Sequence, residues 1–346
     1  MKIIIGILIF CFIIIFHEFG HFLMAKLNHI TVNEFSIGFG PKLFHFKKGE
    51  TEYCIKLIPF GGSCMMADGE NETDNDDPHA FTNASVWSRI AVVLGGPIFN
   101  FILAFLLSII MISLAGVDRP VINQVTEDYP AAQAGLLPGD EIVQLNDFKT
   151  YFFRDVSSYI AMHNGESLQT VYRRDGKEYL TTITPIFNED EGRYYIGITN
   201  TEGYTKASGL ALVKYSCCEV RYWIYTTLQS IKMIIQGSVH AEDLSGPVGI
   251  VNVVGDTYDQ AAKYGALVVF VNMINIAILL SANLGVMNLL PIPALDGGRF
   301  LILLVEAVLR KKLPEKVEAM VNATGMMLLF ALMIFVMGND IRKLFM

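Results

Sequence analysis

The sequence predicts an α-helical membrane protein of about four transmembrane helices, with a β-hairpin re-entrant loop and a small α+β domain outside the bilayer. Three observations carry that prediction. Of 346 residues, 52% are hydrophobic and only 17% charged, too apolar for a water-soluble chain of this length. Long apolar runs recur near the N-terminus, over Ser88 to Ala115, over Leu267 to Leu290 and over Asn322 to Met337. Between the second and third, from about Val117 to Asn200, the composition turns soluble and breaks into short strands and turns.

The first run, Ile3 to Phe16, is nearly all Ile, Phe and Leu. No small-residue cleavage site follows it, and further apolar spans do, so it reads as a retained first span rather than a signal peptide. Beyond Asn28 the helical period disappears. Tyr53, Ile55 and Leu57 alternate with Glu52, Cys54 and Lys56, and Lys47-Lys48-Gly49-Glu50 makes a turn, which together predict a hairpin. Gly38, Gly40, Gly61 and Gly62 permit tight turns in it. Non-helical backbone of this kind is tolerated at membrane depth where protein buries it or it lines a cavity.

The acidic stretch Asp68 to Asp77 lacks the spacing of a calcium loop and reads as an exposed linker. The second span carries Gly95-Gly96-Pro97 and Asn100, small residues for close helix packing and an amide that needs a partner in the bundle. In the soluble stretch, Ala134-Gly-Leu and Pro138-Gly-Asp140 form the AGL-PGD signature of a PDZ-like domain, a module that binds extended peptides by strand addition. Arg173-Arg-Asp-Gly-Lys177 reads as a hairpin turn. Leu210 to Gly237, apolar on one side and dotted with charge, reads as an interfacial helix, and Leu244 to Ile250 as a turn. The expected domains are therefore 1–116 (membrane), 117–200 (PDZ-like), 201–263 (interfacial helix and linker) and 264–346 (membrane).

A net charge of −8 without a basic stripe gives no electrostatic case for nucleic acid. Five cysteines without a CxxC pair indicate neither a disulfide framework nor a cysteine zinc site.

The chemistry concentrates in His17-Glu18-Phe19-Gly20-His21 at the far end of the first span. Residues four apart share a helix face, so both imidazoles can address one metal ion with Glu18 beside them. Two histidines and one further ligand leave zinc an open position for water, whose pKa falls to roughly 7, and a neighbouring carboxylate can take its proton. Ionisable groups at membrane depth cost a few kcal/mol each and are functional by default.

Lys26, Lys42, Lys47, Lys48, Lys56 and Arg89 flank the first loop, and Arg299, Arg310, Lys311, Lys312 and Lys316 follow the third span, so both regions are expected in the cytosol. The PDZ-like domain is then extracytoplasmic, and spans one and three both run inward. HEFGH and Asp296, which follows the Pro291 and Pro293 helix stop, thus meet at one depth near the cytosolic side. Asp296, left on irregular backbone by the two prolines, is the best candidate for the third zinc ligand; the alternative is a plain helix-terminal turn residue.

These features together resemble the site-2 protease family of intramembrane zinc metalloproteases, in its bacterial form with a single PDZ domain. The matching segments are His17-Glu18-x-x-His21, Gly38-Phe-Gly40 with Phe60-Gly-Gly62, Gly96-Pro97-x-x-Asn100, AGL-x-PGD, Leu244-Ser-Gly-Pro-Val-Gly-Ile250 and Asn288-Leu-Leu-Pro-Ile-Pro-Ala-Leu-Asp-Gly-Gly298, in family order over nearly the whole chain. The resemblance implies that His17, His21 and Asp296 hold Zn2+, that Glu18 is the catalytic general base, and that Asn288 helps hold substrate. It also implies pairing of the Gly38–Gly62 loop with an unwound substrate strand. By the same resemblance the partners are the lipid bilayer and single-span membrane proteins, such as anti-sigma factors or signal-peptide remnants. A multi-pass place in the bacterial cytoplasmic membrane follows, with regulated intramembrane proteolysis as the task. The competing readings are a non-catalytic membrane scaffold presenting a PDZ module, and a metal transporter, in which the Glu has no role.

Overall fold

The computed structural model describes residues 2–67, 77–189, 192–200, 203–237 and 246–344. Two compact units make up the chain, Met1–Leu107 with Ser230–Met346, and Ser108–Gln229.

In the first unit, helix α1 (Lys2–Leu27) leads into strands β1 (Val32–Lys48) and β2 (Thr51–Met66), then helix α2 (Val86–Ala115), which runs on into the second unit. The two strands fold on themselves. The first half of β1 pairs with both halves of β2, for example Ile37 with Ile55 and with Gly62, while its second half pairs only with the start of β2, as in Phe46 with Tyr53. The chain bends at Gly38, whose φ is +83° and where a Cβ would lie 2.4 Å from the Ile58 carbonyl oxygen, a place only glycine can fill. The expected hairpin is present; residues 68–76 of the acidic stretch lie outside those described.

The second unit holds β3 (Gln124–Val125), α3 (Pro130–Gln133), β4 (Glu141–Leu145), β5 (Phe148–Lys149), α4 (Phe153–Met162), β6 (Leu168–Arg174), β7 (Lys177–Ile183), β8 (Ile186–Asn188), β9 (Arg193–Tyr195), β10 (Ile198–Thr199) and α5 (Gly209–Ile235). Antiparallel β5-β4-β6-β7 form its main sheet. Ile122, Leu136, Ile142, Leu145, Val156 and Leu168 fill a core under that PDZ-like α+β arrangement. The PGD segment explains itself here. Buried Asp140 accepts the Leu137 N–H at 2.8 Å and two hydrogen bonds from the Arg174 guanidinium, both 2.7 Å, tying the turn to β6. Helix α5 packs on α4 and β5: Arg154 pairs with the fully buried Glu219, Ser158 meets the Tyr222 hydroxyl at 2.9 Å, and the Tyr225 ring lies 4.3 Å from that of Phe148.

The first unit resumes with α6 (Pro247–Ala262), α7 (Ala266–Asn288), α8 (Asp296–Leu309) and α9 (Glu315–Leu344). The segment expected as a turn up to Ile250 is helical from Pro247 onward. Proline is preorganised for a first helical position, and the Asp340 carboxylate accepts the N–H of Gly246 at 3.0 Å and of Gly249 at 2.9 Å, capping α6 from α9. Among the described residues four helices are long and apolar enough to cross a membrane: Ile4–Leu27, Val86–Ala115, Ala266–Asn288 and Glu318–Asp340. Asp296, expected on irregular backbone, instead opens α8. The irregular stretch is 289–295, and it curls so tightly onto the first turn of α8 that a Cβ on Gly297 or Gly298 would lie 2.2 or 2.3 Å from a backbone oxygen of Leu290 or Ile292.

Candidate active site

His17 and His21 lie one turn apart on α1 and point to one side. Their Nε2 atoms are 3.2 Å apart, and Asp296 Oδ2 lies 3.3 Å from the first and 3.5 Å from the second. Sequence separation between the helix pair and the carboxylate is nearly the whole chain, yet the three atoms form an almost regular triangle. Four-coordinate zinc with bonds of about 2.0–2.1 Å spaces its ligand atoms about 3.3 Å apart, so the donor set fits the ion in both chemistry and spacing.

The protonation pattern fits as well. The Val92 carbonyl oxygen accepts from His21 Nδ1 at 2.9 Å, so that nitrogen carries the proton and Nε2 presents a lone pair. His17 Nδ1 lies 3.1 Å from Asn100 Nδ2, and exchanging that amide's nitrogen and oxygen, which also gives the otherwise unpartnered oxygen a donor, brings His17 to the same tautomer. Asp296 Oδ2 is then buried with no hydrogen-bond donor. Three electron-rich atoms converging with nothing between them repel one another unless a cation joins them.

Helix α2 supplies the floor. A Cβ on Gly96 would lie 2.3 Å from His21 Nε2 and 2.6 Å from His17 Cε1, so the imidazole pair sits directly over that glycine. Gly95, its neighbour, has a different duty: with Gly20 it lets the α1 and α2 backbones touch, since a Cβ on Gly20 would lie 2.4 Å from the Gly95 oxygen. Pro97 has no N–H to return to Val93, which loosens the turn carrying the Val92 carbonyl. Asn100, expected to bond a neighbouring helix, does so, and the partner is a proposed ligand. Ser281 of α7 donates to the Asn100 backbone carbonyl at 2.8 Å and fixes that turn in place.

Glu18 faces the end of β2. Its Oε2 accepts the Cys64 N–H at 3.0 Å, and Gly62 leaves room for its side chain, a Cβ there lying 3.3 Å from Glu18 Cγ. Burial pushes the Cys64 thiol up to about 12, helped by the charge of Glu18. Asn288, at the end of α7, brings Nδ2 within 3.4 Å of His17 Nε2. A cavity of about 410 Å³ is lined by His17, Glu18, His21, Cys64, Asn288 and Asp296, among others. All five residues singled out in the sequence therefore come together. Gly96, the Val92 carbonyl and the Cys64 N–H were not singled out. Gly96 had a signal in the GGP motif; the two backbone groups had none.

A second set of possible ligands, Glu34, Glu52 and Cys54, is different. Lys42 lies 2.8 Å from Glu34 and 2.6 Å from Glu52, and Lys56 lies 2.6 Å from Glu34, so ammonium groups already neutralise it.

Comparison with known proteins gives the family of the chain. The sequence model described as Peptidase family M50 matches residues 5–332. A relative from Clostridium acetobutylicum, provisionally named a zinc metalloprotease, is 38% identical over 340 residues, covering 98% of this chain and 97% of that protein. The Regulator of sigma-W protease RasP of Bacillus subtilis is 31% identical over 420 residues and 98% of each chain. Among solved structures, the PDZ domain of an SdrC-like protein from Listeria monocytogenes is 26% identical, covering 25% of this chain and 86% of its own, with a TM-score of 0.22.

Proposed function

Because the chain belongs to Peptidase family M50, the site-2 type of intramembrane zinc metalloprotease, we propose that His17, His21 and Asp296 hold its zinc and that Glu18 is its general base. The protein is a multi-pass membrane zinc metalloendopeptidase acting on membrane proteins. The observation that carries the assignment of residues is the triangle of three lone-pair atoms, 3.2–3.5 Å on a side, delivered by α1 and α8.

Zinc held by His17, His21 and Asp296 would supply Lewis acidity at that point. Glu18 would take a proton from the attacking water and later give it to the leaving amine. The Val92 carbonyl holds His21 in the tautomer that exposes Nε2, and the Asn100 amide, with its oxygen turned to Nδ1, would do the same for His17. Asn288 holds the substrate backbone beside His17.

A helical substrate keeps its carbonyls in internal hydrogen bonds, so it has to unwind before attack, and the freed groups need partners where bulk water is absent. The last part of β2, residues 62–66, pairs with β1 on one side and runs past Glu18, which makes it the edge for an extended substrate strand. Substrates are single-span proteins of the anti-sigma-factor or signal-peptide-remnant kind, a reading supported by the name of the Bacillus subtilis relative. The placement is the bacterial cytoplasmic membrane, with the active centre near the cytosolic side and the PDZ-like domain (117–200) outside as a gate or size filter for substrates. Lysine and arginine around the first loop and after α7 support that orientation.

The test compares membrane peptide fragments in cells carrying the wild type or Glu18→Gln. Loss of a general base costs about 10²–10⁴ in rate, so cleavage of single-span proteins should drop by that factor with zinc content unchanged. Undiminished processing by the variant removes the proposal.

A further inference from the structure

A second cavity, of about 400 Å³, lies away from the zinc site between the start of α2 and the end of α8. Trp87, Arg89, Glu306, Arg310, Lys311 and Lys312 line it. Its negative charge is fully engaged. One Glu306 oxygen accepts from Arg89 Nη2 at 2.7 Å and the other accepts the Leu313 N–H at 2.8 Å. Arg89 is 7% exposed, yet its Nε is buried without a hydrogen-bond partner. An unsatisfied guanidinium N–H in a cavity rimmed by three more cations calls for an oxyanion.

The surroundings say what carries that oxyanion. Leu301, Leu304, Val305 and Val308 are 39–75% exposed and fall at helical spacing on one face of α8, an apolar stripe that in this membrane protein has lipid to cover it. Trp87, 68% exposed, marks the start of an apolar span, where aromatic rings sit at headgroup level. Lys312 is anchored across the cavity rim by donating to the Thr82 carbonyl at 2.6 Å. We infer that this cavity binds the phosphate headgroup of an anionic phospholipid, with Arg89 Nε, Arg310 and Lys311 as its donors and the acyl chains along α8. Basic pockets between membrane helices bind such headgroups elsewhere.

The full-length protein, purified in a neutral detergent, is titrated with phosphatidylglycerol or phosphatidylcholine, and bound lipid is counted by native mass spectrometry. Phosphatidylglycerol is expected to bind selectively. The exposed double substitution R310Q/K311Q should weaken it by roughly thirtyfold, R310K/K311R should retain it, and K47Q/K48Q, an equal charge loss at the hairpin turn, should leave it unchanged. Equal binding of the two lipids, as expected if Arg310 to Lys312 only offset the α8 dipole, overturns the inference. So does an equal loss in K47Q/K48Q, or displacement of the lipid by millimolar inorganic phosphate, which identifies a soluble anion instead.

Discussion

Gly96 contributes no side chain, and that is its function. The space a Cβ would take is within 2.6 Å of both imidazole rings, so Gly96→Ala has to push the zinc ligands off their triangle. The expected outcome is a folded protein with sharply reduced zinc stoichiometry by elemental analysis. An alanine variant that binds zinc at the wild-type level would show that the rings do not sit over this glycine. Residue types alone pointed to the proposed ligands, because His-x-x-x-His at helical spacing has few other uses at membrane depth. Their supports were legible only in part. Asn100 had to bond something, and the chain did not say what; the Val92 carbonyl is a backbone group that every residue owns.

Helices and strands act here as rigid arms whose ends carry the chemistry. Arg89 of α2 and Glu306 of α8 are both buried and clamp the start of α2 to the last turns of α8. Removing one partner of such a pair leaves a buried charge and costs about 3–5 kcal/mol, whereas replacing both by apolar residues is often neutral. Arg89→Met should therefore lower thermal stability strongly, and Arg89→Met with Glu306→Met should recover most of it in the same unfolding assay. The strand pair has its own clamp. Burial would raise Glu34, but the Lys42 and Lys56 ammonium groups outweigh it and hold the carboxyl down to about 2. A carboxylate depressed in the folded state stabilises fully above its unfolded pKa near 4.5, and that stabilisation fades as pH falls toward 2. Hydrogen-exchange protection of β1 and β2, corrected for intrinsic rate, should decline over that acid interval, and Glu34→Gln should lack the step. The hairpin was readable from alternation; its doubled pairing was not, since one strand serving two partners leaves no period of its own.

Across the molecule, zinc on the proposed ligands would join α1 to α8 and so act as a tertiary cross-link as well as a reagent. Anything that binds only the folded state stabilises it by mass action. Chelation should lower the melting temperature of the detergent-solubilised protein, and Asp296→Asn should melt at the lower temperature with or without chelator. A variant that still responds to chelator like the wild type would place the third ligand elsewhere. Hydropathy by itself determined four spans and the soluble insert between them, and helical spacing brought out the residues proposed to bind metal, because burial in lipid restricts which residues can stand where. Only the folded chain decided that α8 begins at Asp296, that α6 is a helix capped by Asp340, that Gly96 lies under the imidazoles, and that Arg89 meets Glu306. The last three depend on which distant segments touch, and short-range pattern carries no information about a contact made more than 50 residues away.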